Sequence, residues 1–228
     1  MSTAFRDRAE AGRLLAEKLT AYAGRSDVLV LALPRGGVPV AYEVAQTLGA
    51  PLDVFVVRKL GAPGHEELAM GAVASGGAWV FNDDVMRSLH IPYRVIEAIA
   101  VREFRELERR EHAYRNGRRA LVVSDRTVIL VDDGLATGST MRAAIAAIRR
   151  LRPAHIVVAV PTAAPLSLKE IRTEVDDCIC YISPDPFYAV GLCYEDFSQT
   201  SDEEVRDLLQ RSAGSLQTAT GPVKEPMR

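Results

Sequence analysis

The segment Val128-Ile-Leu-Val-Asp-Asp-Gly-Leu-Ala-Thr-Gly-Ser-Thr140 constrains this chain more than any other. Four branched apolar residues without a polar break read as a strand buried on both faces. Two carboxylates, Asp132 and Asp133, stand at its carboxyl end. Small residues follow, and a helix opens at Ser139 with Met141, Ile145 and Ile148 on one face. A buried strand that turns at once into a helix belongs to a parallel sheet, where ligands bind beyond the carboxyl ends of the strands.

The same alternation recurs along the chain. Val28–Leu33, Leu52–Val57, His155–Val160 and Asp177–Ile182 read as further strands, the second ending at Arg58 and Lys59. Helices are expected near 3–22, with Ser2 or Thr3 as cap, over 38–48, over 166–174, and from Ser201 with Glu204 completing a capping box. Pro92 to Arg115 reads as a long charged helix with Val95, Ile99 and Arg102 on one face and a solvated Glu/Arg surface beyond. Gly61–Glu67 reads as a mobile loop, and Leu68–Ala74 with Trp79–Phe81 as a β-hairpin about Gly76-Gly77.

Composition excludes several classes. With 28 basic and 30 acidic residues, no basic excess drives binding to a nucleic-acid backbone, while a local basic cluster would suit a small polyanion. No apolar run reaches the ~20 residues needed to span a bilayer, and residues 1–10 lack a signal-peptide core, so a cytoplasmic protein is expected. Cys178, Cys180 and Cys193 form no metal or disulfide pattern and read as small buried hydrophobes. His90, His112 and His155 show no metal spacing.

The loop after Val131 reads as a phosphate cradle. Gly134, Ala136 and Gly138 let the backbone curl close to a ligand, and Thr137, Ser139 and Thr140 add hydroxyl donors. The amides and dipole of the helix start favour an anion. The adjacent carboxylates suit a neighbouring diol, such as that of ribose. A P-loop is excluded by spacing and by the missing lysine, and neither a dinucleotide fingerprint nor a nucleophile elbow is present.

This string resembles the signature of the type I phosphoribosyltransferases, which bind phosphoribosyl pyrophosphate (PRPP). Pro34-Arg-Gly-Gly37 and Val56-Val-Arg-Lys59 are similar to the family's pyrophosphate loop and basic strand end. Tyr194-Glu-Asp-Phe-Ser-Gln199 is similar to a bacterial subgroup of unassigned acceptor. The resemblance implies an α/β fold: a mostly parallel twisted sheet with helices on both faces, a flexible lid hairpin and a small hood. Residues 1–212 would form one domain, with its core at about 28–182 and its hood from the N-terminal helix and 183–200. Residues 213–228 would be a disordered tail.

The resemblance also implies roles. Asp132 and Asp133 would face the ribose hydroxyls, and Gly134 with Ala136–Thr140 the 5-phosphate. Arg35, Gly36 and Gly37, in a loop that often carries a cis peptide, would approach the pyrophosphate together with Arg58 and Lys59. Magnesium would be carried mainly by PRPP oxygens and water, near Asp132 and Asp133. The loop Gly61–Met70 would be a lid, with His65, Glu66 or Glu67 a candidate base if not simply a polar surface. Phe187 and Tyr188 would stack on a planar acceptor or merely pack.

Transfer of phosphoribose to a nitrogenous acceptor, with a nucleobase expected, is one implied activity. Sensing of PRPP or a nucleotide without turnover is another, and a sugar-phosphate hydrolase is a weaker third. The charged helix and the hairpin offer surfaces for a homodimer.

Overall fold

A computed structural model describes residues 5–89, 91–118, 120 and 122–219, without the side chains of 65–69, 83 and 216–219. Helix α1 spans Arg8–Glu17 and α2 spans Gly37–Leu48, either side of strand β1, Val28–Ala32. Strand β2 covers Leu52–Val54, β6 Thr127–Val131, β7 His155–Thr162 and β8 Asp177–Ile182. Between them lie β3 (Val57–Ala62), β4 (His65–Ala74), β5 (Ala78–Phe81), α3 (Asp83–Ser88) and α4 (Tyr93–Arg115). Helices α5 (Ser139–Arg150), α6 (Pro165–Arg172) and α7 (Asp202–Ala219) complete the order.

The five strands β2-β1-β6-β7-β8 pair in that order, all parallel. Strands β1 and β6 are covered on both faces, which is why every residue of each is buried. Val28, Val30, Ile129 and Val131 belong to the core cluster shared with α1, α2, α4 and α7. Leu29, Leu31, Val128 and Leu130 face α5 and α6. The chain leaves β1 toward β2 on one side and later resumes on the other with β6. The crevice between the carboxyl ends of β1 and β6 is therefore the topological switch point.

The expected strand Leu52–Val57 is cut in two. After Val54 the chain passes to a second, antiparallel sheet of order β3-β4-β5. Phe55 still donates its N–H to Ala32 O at 2.9 Å, but Val56 N–H turns to Ser75 Oγ at 2.8 Å. Both residues are buried, so an uninterrupted apolar run conceals the handover between sheets. Arg58 and Lys59 consequently lie inside β3 and do not end a core strand. The expected loop 61–67 is mostly strand as well: Ala62 pairs with His65 across a turn at Pro63-Gly64.

Other boundaries also shift. Ser2 and Thr3 lie outside the described residues, and α1 is capped by Asp7, whose Oδ1 accepts the Glu10 N–H at 2.8 Å. Ser201 Oγ accepts the Glu204 N–H at 3.1 Å as expected, but α7 continues past Ser212 to Ala219. Ser212 and Leu209 are buried. The buried face of α4 passes through Ile96, Ala100, Leu107 and Tyr114, while Arg102 is exposed.

Arg115 overturns the reading of α4's later turns as a solvated surface. Its Nε lies 3.0 Å from Asp53 Oδ1, Nη1 2.8 Å from Glu111 Oε1, and Nη2 donates to Val54 O at 2.9 Å. The pair with Asp53 is buried and fastens the end of α4 to the edge strand β2. No described helix is long and apolar enough to cross a membrane.

Candidate active site

The β1–α2 loop and the tip of β6 meet at contact distance. A Cβ on Gly37 would lie 2.7 Å from Val131 O and 2.9 Å from Asp132 Cα. One on Gly36 would lie 2.1 Å from Asp133 Oδ2. Glycine is needed here for room. The Pro34-Arg35 peptide in this loop is cis. Gly37→Ala should therefore be destabilised by about 1–3 kcal/mol through overpacking against backbone that cannot swing aside. This opposes the stabilisation of up to about 1 kcal/mol usual for Gly→Ala within a helix. Thermal unfolding of the variant decides the sign.

The 134–140 loop is pinned to the end of β7. Leu135, buried, donates its N–H to Thr162 O at 2.9 Å, and Ala164 N–H returns to Leu135 O at 2.8 Å. Ser167 Oγ donates to Ala136 O at 2.5 Å. Thr137, Ser139 and Thr140 stay exposed, with the Thr137 and Ser139 hydroxyls 3.0 Å apart. Gly138 takes a left-handed conformation, φ +70°, as the N-cap of α5 and has no side chain to cap it; Thr137 Oγ1 accepts the Ser139 N–H at a long 3.4 Å. The helix start is thus open to an external anion. Asp132, residues 134–141 and Val190 line a cavity of about 190 Å³. That is smaller than the roughly 300–1,000 Å³ of whole-ligand pockets, so it suits one end of a larger ligand.

The two aspartates do not behave alike. Asp132 lines the cavity and its Oδ1 accepts the Asp133 N–H at 2.9 Å. Burial, and then the neighbouring Asp133 charge, push its carboxyl well above the usual carboxylate range. Asp133 turns to Arg8 of α1, with Nε 2.9 Å from Oδ2, and both side chains are largely buried. Burial raises the Asp133 carboxyl too, against the opposing pull of Arg8. Asp133 is thus paired with Arg8 in this structure, while Asp132 lines the cavity.

Arg8, which the sequence concealed, meets a strap at 193–198 beside the acids. Arg8 Nη1 donates to Ser198 O at 2.7 Å, and the Phe197 ring centroid lies 3.9 Å from its guanidinium carbon. Tyr194 Oη donates to Asp133 O at 2.6 Å, and burial pushes its phenol above the ordinary range. Phe5 N–H donates to Cys193 O at 3.0 Å, joining the N-terminal segment to the strap. The 194–199 string was visible only as a family likeness. Arg8 lies 125 positions from Asp133 and carried no signal.

Other predicted residues lie apart from this cavity. Arg35 Nη1 is 3.6 Å from Asp202 Oδ1 at the start of α7, and Tyr114 Oη donates to the same oxygen at 3.2 Å. Arg58 is paired with Glu103 of α4 at 2.5 Å. Arg58 and Lys59 line a second cavity of about 450 Å³ with residues 61–63, Ile99, Arg102 and Glu103. Phe187 packs half-buried against the hood cluster of Phe5, Ala11, Cys193 and Tyr194, and Tyr188 is 68% exposed. The side chains of His65, Glu66 and Glu67 lie outside the described residues; their backbone forms the start of β4. His112 and His155 are exposed, and His90 is outside the described residues.

A family model described as "Phosphoribosyl transferase domain" matches residues 4–196. The chain belongs to the phosphoribosyl transferase family. This family domain is 43% identical over 224 residues to two Mycobacterium tuberculosis proteins, of strains CDC 1551 and H37Rv, each named "Putative phosphoribosyl transferase". The match covers 96% of the chain and 50% of each relative, so the chain spans about half their length. It is similar in structure to TT1426 from Thermus thermophilus, at 42% identity and a TM-score of 0.82, covering 91% of this chain and 98% of that one.

Asp132→Asn of this phosphoribosyl transferase domain should change how stability depends on pH. A carboxyl raised on folding adds stability that is full below the unfolded carboxylate range and lost as pH rises through the folded value. At neutral pH a carboxyl so raised therefore costs stability. Asparagine carries no such charge and can still accept the Asp133 N–H. The variant should melt higher at pH 7, by a gain on the order of 1 kcal/mol. Melting curves from pH 4 to 8, where wild type should lose ground to the variant as pH rises, check this.

Proposed function

We propose that this chain transfers the 5-phosphoribosyl group of PRPP to a nitrogenous acceptor, with a nucleobase the expected class, and releases pyrophosphate. One observation carries the reading: a cavity beyond the carboxyl end of β6 is lined by both the Asp132 side chain and the start of α5. The helix start and the Thr137, Ser139 and Thr140 hydroxyls hold the 5-phosphate. Asp132 accepts a hydrogen bond from the ribose diol. Gly36 and Gly37 let the pyrophosphate come close to the backbone beyond β1.

In the reaction the bond from the anomeric carbon to the pyrophosphate oxygen breaks, and a bond from the acceptor nitrogen forms. The electron pair leaves with pyrophosphate, and the nitrogen gives up a proton. Positive charge builds on the sugar ring, so a protected site with a fixed carboxylate nearby favours the transition state. The β3–β4 hairpin is the proposed lid that excludes water, with Glu66 and Glu67 on its second strand as candidates for the proton.

Magnesium would be carried largely by PRPP oxygens and water, where it offsets the charge of the leaving group. The Asp132 carboxylate lining the cavity offers an oxygen donor of the kind this hard ion takes. All three cysteines are free, which accords with a proposed cytoplasmic setting.

The test mixes purified protein, magnesium and PRPP with a panel of purines, pyrimidines and simple amines, and assays pyrophosphate. Release that depends on one acceptor class supports transfer and names the class. Tight PRPP binding with no release across the panel would contradict it and leave a binding module.

A further inference from the structure

Two neighbouring carboxylates are a poor floor for a ligand that carries a phosphate and a pyrophosphate. Like charges repel more strongly where water is excluded, and both acids here are largely withdrawn from it. The structure contains a cation placed against this difficulty. Arg8 approaches the pair from α1, with Nε 2.9 Å from Asp133 Oδ2. It is gripped from behind by Ser198 O at 2.7 Å and by the Phe197 ring. It also stands against the pyrophosphate loop, its Nε 3.4 Å from where a Cβ on Gly36 would be. Arg8 does not line the cavity and neither does Asp133, whereas Asp132 does.

We infer that Arg8 is a positioning residue that sets the charge of the site: by engaging Asp133 it leaves Asp132 as the acid turned toward the ligand, so that the pair can admit a polyanionic sugar phosphate. The inference rests on the PRPP reading above and deepens it. Among the described residues, the groups facing the acidic pair are Arg8 from α1 and Tyr194 from the strap, with Asp196 near Arg8. Tyr194 acts through its O–H on the Asp133 carbonyl and leaves the carboxylate to Arg8. The N-terminal helix and the 193–198 strap thereby become part of PRPP binding, although they lie outside the strand-loop-helix cradle.

Calorimetry with magnesium and PRPP tests this on wild type, Arg8→Met, Arg8→Lys, and Arg8→Met combined with Asp133→Asn. Each is measured at a temperature where circular dichroism finds it folded. Arg8→Met should raise the dissociation constant by about 10-fold or more, because it leaves Asp133 unpaired beside the ligand. Adding Asp133→Asn should recover most of that loss, to within about 3-fold of wild type, since it removes the charge Arg8 had offset. Arg8→Lys should fall between, keeping the charge but not the planar contacts to Phe197 and Ser198. A purely structural Arg8 would lower the melting temperature of Arg8→Met and leave its affinity unchanged, which overturns the inference. A double variant as weak as Arg8→Met overturns it too. Wild type that binds no PRPP refutes the underlying reading instead, and the inference falls with it.

Discussion

Thr137→Glu is expected to raise the dissociation constant for PRPP by at least ~100-fold while leaving the domain as stable as wild type. Thr137 is exposed at the mouth of the cavity, one residue before the Gly138 cap of α5. A glutamate there sets a carboxylate within reach of the proposed 5-phosphate position. Two like charges about 4 Å apart repel by ~4 kcal/mol at the effective dielectric of a protein surface, which exceeds the 100-fold threshold. The same carboxylate sits favourably on the helix dipole, worth about 0.3–1 kcal/mol, so folding should not suffer. The two effects have opposite signs, which keeps the result readable. Calorimetry should find no PRPP binding, and thermal unfolding should find an unchanged or slightly higher midpoint. Binding at wild-type strength would mean that the phosphate sits elsewhere.

Arg115→Ala should cost about 3–5 kcal/mol of stability, because it removes a buried guanidinium that pairs with Asp53 and Glu111. Asp53 is 6% exposed, and the guanidinium also serves Glu111 and the Val54 carbonyl. For a chain of this length the melting temperature should fall by roughly 10 °C or more. Arg115→Lys should recover little, since an ammonium cannot span two carboxylates and a carbonyl from one position. Removing both charges, as Arg115→Met with Asp53→Asn, should restore part of the loss. Urea unfolding of the four proteins measures each step. A loss under ~1 kcal/mol for Arg115→Ala would mean that the Arg115 pairs add little to the fold.

These two residues illustrate what a linear reading can and cannot reach. Thr137 was legible because its placement before a helix start depends on neighbours in sequence. A buried strand, a tight turn and a helix start are local events, and the chemistry of the cradle is a property of 13 contiguous residues. Arg115 was not legible. It sits among alternating Glu and Arg in a helix that looks solvated, and only the approach of β2 to the end of α4 buries it. The same holds for the run Leu52–Val57, where one apolar string serves two sheets.

What the amino-acid sequence determined by itself was the repeating strand-helix order, the cradle at 134–140 and the placing of two acids at a strand tip. Hydrophobic periodicity, glycine placement and helix-start chemistry all act over a few residues, so they survive in the letters. Only the tertiary structure decided which acid meets the cavity, that Arg35 pairs with Asp202 and Arg58 with Glu103, and that Arg8 reaches Asp133 from 125 residues away. Partners for a buried charge are chosen by which elements pack together, and that packing follows from burial of surface with no preferred direction along the chain.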